Sequence, residues 1–117
     1  MAVKRVVANL QVTDTTLARA FYTEVFGMDP IMDHGWIVTL GTDSSMRTQI
    51  SLATEGGAGT PVPQISVEVD DIDAVLLRAG TAGAEITYPL TVEPWGVKRF
   101  FFRDPFGNLI NVLTHDI

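Results

Sequence analysis

The side chains with the greatest capacity for catalysis are few in this chain, and they form no recognisable catalytic pattern. His34 lies in a predicted turn between Asp and Gly, and His115 is third from the end. There are no cysteines, which excludes thiolate nucleophiles, disulfides and sulfur-ligated metals. The sequence has no Gly-x-Ser-x-Gly elbow, and the glycine-rich stretch at 56–59 is followed by Thr-Pro rather than Lys-Ser. Neither a serine-hydrolase triad nor a phosphate-binding loop is predicted.

Aromatic side chains indicate function better than the histidines do. Trp36, Trp95 and the run Phe100–Phe102 fall on or beside predicted strands, where alternate side chains point to opposite faces of a sheet. Phe101 therefore faces away from its two neighbours, and one of these two sets is predicted to stack on a flat ligand. The sequence does not decide which set packs in the core.

The segment around Trp95 adds polar candidates. Trp95 precedes Gly96 in a predicted loop, which favours the rim of a binding site, a subunit contact or simple core packing. Arg99 on the next strand has the chemistry to clamp a carboxylate or phenolate of a ligand, although a solvated strand arginine is an equal alternative. Glu93 belongs to the same predicted hairpin and is the second polar candidate for reaching that ligand.

A repeated unit positions these residues. Asp14 and Asp71 lie 57 residues apart, and each ends a segment of alternating apolar and polar residues typical of a half-buried strand, Val3–Asp14 and Gln64–Asp71. After each Asp the apolar period lengthens to about 3.6 residues, which predicts an amphipathic helix with the Asp as its N-cap. Gly27 and Gly80 are predicted to end the two helices.

Short strand-like segments follow each helix and complete a βαβββ unit that occurs twice. A linker at Glu55–Pro63, rich in Gly and Pro, separates the two halves. Because a unit of about 55 residues cannot bury one sheet face alone, the halves are expected to pair. The predicted fold is α+β: one domain over residues 1–117, with module one at 1–57 and module two at 61–117, in which a curved mixed sheet surrounds a groove. The predicted strands after the helices are Pro30–Asp33, Trp36–Leu40, Thr48–Ala53, Ala84–Tyr88, Lys98–Arg103 and Leu109–Leu113.

Several motifs carry a family resemblance. Module one contains NLQVTD and then FYTEVFGM, and module two contains SVEVDDIDA and the tail EPWGVKRFFFRDPFGNLINVLTH. The DPFG segment alone indicates only a type I turn. Together with the repeat, these motifs resemble the vicinal oxygen chelate superfamily of glyoxalases, bleomycin-resistance proteins and dioxygenases, over essentially the whole chain. The resemblance implies the glyoxalase/bleomycin-resistance-like fold and a homodimer, whose groove lies within one chain or between two.

The resemblance also implies four positions at the floor of the groove, where enzymes of this superfamily hold a metal ion as a Lewis acid. The matching residues here are Val7, Ser51, Gln64 and Asn111. Val7 has no donor atom, Ser51 is a weak neutral ligand, and the two amides offer only carbonyl oxygens, whereas a divalent transition metal prefers imidazole or carboxylate. We therefore expect no metal and no cofactor, and we expect Gln64 and Asn111 to hydrogen-bond a ligand instead.

Composition restricts the partners and the compartment. With 14 acidic and 8 basic residues the formal net charge is -6, which argues against a nucleic-acid partner because phosphate binding needs a concentrated basic surface. The N-terminus has no long apolar run and no small-residue cleavage site. Neither a signal peptide nor a membrane span is predicted, and we expect a cytoplasmic protein.

Two functions fit these observations. The first is a metal-independent binding protein that sequesters an aromatic or antibiotic-like small molecule, as the resemblance to bleomycin-resistance proteins implies. The alternative is a glyoxalase-like lyase or isomerase, or a dioxygenase-like enzyme, with an atypical site. Its catalytic residues are unknown, and the available proton carriers are Asp33, His34, Glu68 and Glu93. A groove filled by the chain's own side chains would instead indicate a structural or regulatory protein.

Overall fold

Two helices and six strands make up the fold of the described part of the chain. The computed structural model describes residue 5, residues 7–46, residue 49 and residues 51–117. The α+β class predicted from the sequence is confirmed. In chain order the elements are α1 (Thr15–Phe26), β1 (Asp29–Asp33), β2 (Val38–Gly41), β3 (Ile65–Glu68), α2 (Ile72–Thr81), β4 (Glu85–Val92), β5 (Lys98–Arg103) and β6 (Leu109–Thr114).

The predicted caps fix where both helices begin. The carboxylate of Asp14 accepts a hydrogen bond from Leu17 N at 3.0 Å, and that of Asp71 accepts one from Ala74 N at 3.1 Å. Gly27 ends α1 in the left-handed region, with φ 68°. The predicted end of α2 at Gly80 was wrong.

Gly80 lies inside α2, which continues to Thr81. The reversal of the chain falls instead on Gly83, whose φ is 84°. Glycine adopts this left-handed conformation without the Cβ clash that other residues meet, and with Gly83 in it the N–H groups of Gly83 and Ala84 donate to Gly80 O and Ala79 O as in a Schellman motif.

Module two forms one complete βαβββ unit. Its strands make a four-stranded sheet in the order β3-β6-β5-β4, in which β3 and β6 are parallel and the other neighbours are antiparallel. Strands β1 and β2 form a separate two-stranded antiparallel sheet. The mixed sheet predicted from the sequence is therefore found in the second half of the chain.

Two predicted strands of module one are corrected by the structure. In the predicted strand Val3–Asp14, residues 7–14 form no strand. In the predicted strand Thr48–Ala53, residues 49 and 51–53 form none. Residues 3, 4, 6, 48 and 50 of these two predictions lie outside the described part of the chain. Alternating polarity makes a strand only where a neighbouring strand accepts and donates its backbone hydrogen bonds. Within the described residues, no strand pairs with either segment.

The core lies between the four-stranded sheet and the helices. Phe100 and Phe102 of β5 are fully buried there, together with Ile110 and Val112 of β6. They pack against apolar side chains of α1 and α2, among them Phe21, Val25, Val75 and Ala79. No helix in the described residues is long and apolar enough to cross a membrane.

Candidate functional site

The sheet face opposite the helices carries polar and aromatic side chains that do not belong to the hydrophobic core. Since Phe100 and Phe102 pack in the core, Phe101 points to the other side, which settles the choice that the sequence left open. Strand register places Asn111 beside Phe101 on one side and Ser66 on the other. We call this the inner face; it is formed by Ser66, Glu68, Tyr88, Arg99, Phe101 and Asn111.

Asn111 carries a hydrogen-bond acceptor that its own chain does not satisfy. Its side chain is only 8% exposed, and Nδ2 donates to Ser66 Oγ at 3.1 Å. No donor among the described residues reaches Oδ1. A buried carbonyl oxygen without a donor costs about 1–3 kcal/mol, so such atoms usually have a partner. This oxygen is therefore suited to accept a hydrogen bond from a ligand.

Aromatic rings surround the guanidinium of Arg99 on the same face. Its central carbon lies 4.8 Å from the centre of the Phe101 ring, 5.1 Å from that of Tyr88 and 5.0 Å from that of Trp95. Distances of this kind allow cation–π attraction, which is strongest for a desolvated cation. Arg99 is 4% exposed, so the cage contributes to holding a buried charge.

Polar groups of the chain occupy the rest of this guanidinium. Nε donates to Glu93 Oε2 at 3.1 Å, and Nη2 lies 2.9 Å from the same oxygen. Nη1 donates to Gly56 O at 2.6 Å and Nη2 to Gly57 O at 3.2 Å. Burying two charges is costly, and these additional hydrogen bonds offset part of that cost. In this conformation Arg99 fixes the linker to the inner face rather than presenting a free clamp.

The linker forms a compact turn over this side of the sheet. We call residues 55–60 the linker turn; Gly56 N donates to Thr60 O at 2.8 Å, and Thr60 N donates to Gly57 O at 3.0 Å. Gly57 has φ 86°, and a Cβ there would lie 3.0 Å from the Trp95 ring. Trp95, predicted at a rim or contact, is half exposed and packs between the linker turn and Arg99.

Gln64, predicted to bind a ligand, uses both ends of its amide inside the chain. Nε2 donates to Asn108 Oδ1 at 2.8 Å, and Oε1 accepts from Leu109 N at 2.6 Å. The amide thereby ties the start of β3 to the turn before β6. Its counterpart Asn111 differs, because among the described residues only one end of that amide has a hydrogen-bond partner.

A buried carboxylate organises the same turn. Asp104 Oδ2 accepts from Tyr22 Oη at 2.8 Å and from Asn108 Nδ2 at 2.8 Å, and Oδ1 accepts from the backbone N–H groups of Phe106 and Asn108. Burial, followed by the hydrogen bond to Asp104 and its negative charge, raises the pKa of Tyr22 well above the usual tyrosine value. This network joins α1 to the β5–β6 turn.

The remaining predicted site residues lie elsewhere. Val7 and Trp36 border a cavity of about 710 Å³ between α1, residues 7–12 and the β1–β2 hairpin. Trp36 is 80% exposed, and Ser51 is exposed outside both this cavity and the inner face. The structure thus brings Asn111, Arg99, Phe101 and Trp95 together, with Gln64 beside them, and separates the other three.

One further pair was not among the predicted site residues. His115 Nδ1 lies 2.7 Å from Glu68 Oε2, just beyond the end of β6. The sequence indicates Glu68 only as an available proton carrier and gives no role to His115, which is third from the end. Strand alternation from Asn111 to His115 is the signal that would have placed both on one face.

The implied metal positions do not fit a metal in this arrangement. Val7 lacks a donor, both polar ends of Gln64 are hydrogen-bonded, and Asn111 offers a single amide oxygen. Among residues 5, 7–46, 49 and 51–117, no group of three or more His, Cys, Asp or Glu side chains could hold an ion. Transition metals need several nitrogen or carboxylate donors, so these positions are better suited to hydrogen bonding.

Comparison with known proteins identifies the family. A sequence profile of the Glyoxalase/Bleomycin resistance protein/Dioxygenase superfamily matches residues 4–112. The chain belongs to this superfamily. Members of this superfamily are enzymes or binding proteins, and the functional class is decided by the site rather than by the fold.

Solved structures agree with this assignment. The chain is similar to TioX from Micromonospora sp. ML1, with 28% identity and a TM-score of 0.69, covering 97% of this chain and 99% of that one. A superfamily member from Sphaerobacter thermophilus DSM 20745 has 24% identity and a TM-score of 0.64, covering 90% and 91%. TnmS3 from Streptomyces sp. CB03234, described as an antibiotic binding protein, has 24% identity and a TM-score of 0.67, covering 97% and 98%.

Curated relatives are longer than this chain. The protein named "Putative glyoxylase CFP32" in Mycobacterium tuberculosis (strain CDC 1551 / Oshkosh) and in Mycobacterium bovis is 26% identical in an alignment 111 residues long that covers 89% of this chain. The match spans 42% of the length of each relative.

Proposed function

We propose that this protein binds a small aromatic molecule, such as an antibiotic, on the inner face of its four-stranded sheet, and that it does so without a metal ion. The observation that carries this proposal is Asn111 Oδ1, an acceptor that is buried, unsatisfied by the described residues and placed beside Phe101. Apolar surroundings with a few directed polar groups are typical of small-molecule sites.

The arrangement of the inner face supports a flat ligand that donates a hydrogen bond. Phe101 and Tyr88, whose ring centres are 5.4 Å apart, supply the aromatic wall. The linker turn covers the part of the inner face near Arg99. The acceptor proposed for a ligand, Asn111 Oδ1, lies at the other part of this face, formed by β3 and β6. The same fold serves antibiotic binding in TnmS3, which is consistent with a ligand of this class.

A pair of matched probes tests the proposal. Naphthamide has an N–H donor for Asn111, whereas methyl naphthoate has a similar ring and shape without the donor. Equilibrium dialysis of each compound against the protein is expected to show tighter binding of naphthamide by about tenfold, the value of one net buried hydrogen bond of about 1.4 kcal/mol.

The variant Asn111→Leu is expected to abolish this preference, because it removes the acceptor while keeping the branching and the number of heavy atoms of the side chain. Trp36→Phe is the matched control, since Trp36 borders the separate cavity. If Asn111→Leu kept the full preference, or if Trp36→Phe removed binding, the ligand would not lie on the inner face.

We propose further that two copies of the chain associate as a homodimer. By the repeat, residues 7–12 and 51–53 correspond to β3 and β6, yet in the single chain they pair with no described strand. Module one also exposes large apolar side chains: Ile31, Trp36, Met46 and Leu52. Large apolar side chains that a single chain leaves exposed favour an interface when a second copy covers them. Light scattering during gel filtration is expected to give twice the 12.7 kDa chain mass; a monomer over the whole concentration range would contradict this.

A further inference from the structure

The Glu68–His115 pair has the geometry of a supported base. Nδ1 of His115 lies 2.7 Å from a carboxylate oxygen of Glu68. A carboxylate at this distance favours the proton on Nδ1, because that tautomer donates to it. The second ring nitrogen, Nε2, then carries the lone pair and can accept a proton. Both side chains are about 60% exposed, so solvent and small molecules reach the pair.

The pair lies on the same face as the unsatisfied Asn111. Glu68 follows Ser66 by two residues on β3, which places their Cα atoms roughly 7 Å apart on one side of the sheet. His115 follows Asn111 by four residues, a separation of roughly 13 Å along the strand direction. A ligand that contacts both Asn111 and His115 must bridge this distance with its rings and its polar substituents together. The polar groups of this face therefore form a line along the β3–β6 side.

We propose that Glu68 and His115 form a second subsite of the inner face, which binds the acidic hydroxyl of an aromatic ligand, a phenol, and accepts its proton. This inference rests on the proposed function, since it concerns the same ligand. The O–H bond of the phenol breaks, its proton bonds to His115 Nε2, and the electron pair stays on the phenolate oxygen. The resulting imidazolium donates to the phenolate through Nε2 and to Glu68 through Nδ1.

The charges around the ring favour a proton donor over an anionic ligand. Glu68 on β3 places a negative charge beside the His115 ring, and Asp116, the residue after His115 in the chain, is also acidic. Arg99 on β5 faces the same side, but its charge is already paired with Glu93. A ligand that arrives as an anion would meet this negative surplus, whereas a phenol arrives neutral, and the phenolate that it becomes faces the imidazolium charge formed in the same step, so that the net charge of the site does not change.

Para-nitrophenol is the probe for this subsite, because its phenolate absorbs visible light and its neutral form does not. Binding to the protein near neutral pH is expected to raise the phenolate fraction, and dialysis should show about three- to tenfold tighter binding than for para-nitroanisole, its methyl ether. This range is what an exposed, charge-assisted hydrogen bond supplies after screening by solvent.

Two substitutions locate the effect. His115→Gln is expected to remove both the absorbance change and the preference over para-nitroanisole, and Glu68→Gln is expected to reduce them. His34→Gln is the matched control, because His34 is an exposed histidine in the turn between β1 and β2. All three positions are exposed, so the substitutions are expected to leave folding intact.

The outcomes separate this inference from the proposed function. If naphthamide keeps its Asn111-dependent binding while His115→Gln retains the full absorbance change, the phenol subsite is wrong and the binding face stands. If neither naphthamide nor the two nitro compounds bind, both are overturned. Loss of the change in His34→Gln alone would also overturn the subsite.

Discussion

Replacing Tyr22 by Phe tests the buried network that joins α1 to the β5–β6 turn. The hydroxyl donates to Asp104 Oδ2 over 2.8 Å, and both side chains are buried. A hydrogen bond to a charged group contributes about 1.5–3 kcal/mol. Asp104 keeps three other donors after the change, from Asn108 and Phe106, so its charge is not left bare. We therefore expect a loss near the lower end, about 1.5 kcal/mol.

Urea denaturation at fixed protein concentration measures this loss, and thermal unfolding provides a second value. With an unfolding entropy of about 2.1 cal/mol/K per residue, a loss of about 1.5 kcal/mol lowers Tm by roughly 6 °C in a chain of this size. An unchanged free energy of unfolding in the variant would refute the assignment of this hydrogen bond as a stabilising one.

The pH dependence adds an independent test of Tyr22. Burial and Asp104 raise the pKa of Tyr22 in the folded state above its unfolded value of 10.0. Its contribution is therefore complete below pH 10 and declines as the pH rises beyond it, by up to about 1.4 kcal/mol per pH unit. The stability difference between the wild type and Tyr22→Phe is expected to shrink above pH 10. A difference that stays constant or grows would contradict the raised pKa.

Three substitutions test the linker turn, its anchor Arg99 and the buried amide of Gln64 by chemical denaturation. Gly57→Ala should lower the free energy of unfolding by roughly 1–2 kcal/mol for a left-handed alanine, and further because the new Cβ meets Trp95. The control Gly59→Ala is also left-handed but has open space around it, so it should lose only the backbone part. Equal losses in the two variants would contradict the contact with Trp95. Arg99→Met should destabilise the fold by about 3–5 kcal/mol, because it leaves the buried charge of Glu93 without its partner. The double variant Arg99→Met with Glu93→Leu should recover much of this stability. A double variant as unstable as the single one would contradict the cost assigned to the unpaired charge. Gln64→Leu should lose about 2 kcal/mol of stability and keep its affinity for naphthamide. Unchanged stability with a lost affinity for naphthamide would instead make Gln64 a ligand contact.

Local sequence signals predicted much of the fold. The caps at Asp14 and Asp71 and all the strands of module two follow from patterns within about ten residues, because capping and alternation act over that range. The end of α2 was less accurate, since Gly80 and Gly83 offer competing stops. The strands predicted within 3–14 and 48–53 failed in their described parts because pairing depends on a distant partner that alternation does not reveal.

The candidate site was harder to predict for the same reason. Gln64 and Asn111 are both amides of the β3–β6 pair and its start, yet Gln64 is bonded to Asn108, 44 residues away, while no described residue donates to Oδ1 of Asn111. Arg99 is bonded to the linker turn, 42 residues or more away in sequence. These long-range hydrogen bonds decide which polar groups remain for a ligand, and no local pattern encodes them. The side of the sheet on which Phe101 lies, by contrast, follows from strand alternation once the side on which the helices pack is known.

The central claim is that the ligand lies on the inner face, at the side formed by β3 and β6. Backbone amide NMR shifts recorded while naphthamide is added test it most directly. The account predicts that the largest shifts fall on Ser66, Phe101 and Asn111. Shifts concentrated instead on Val7, Trp36 and the other residues around the cavity beside α1 would contradict it.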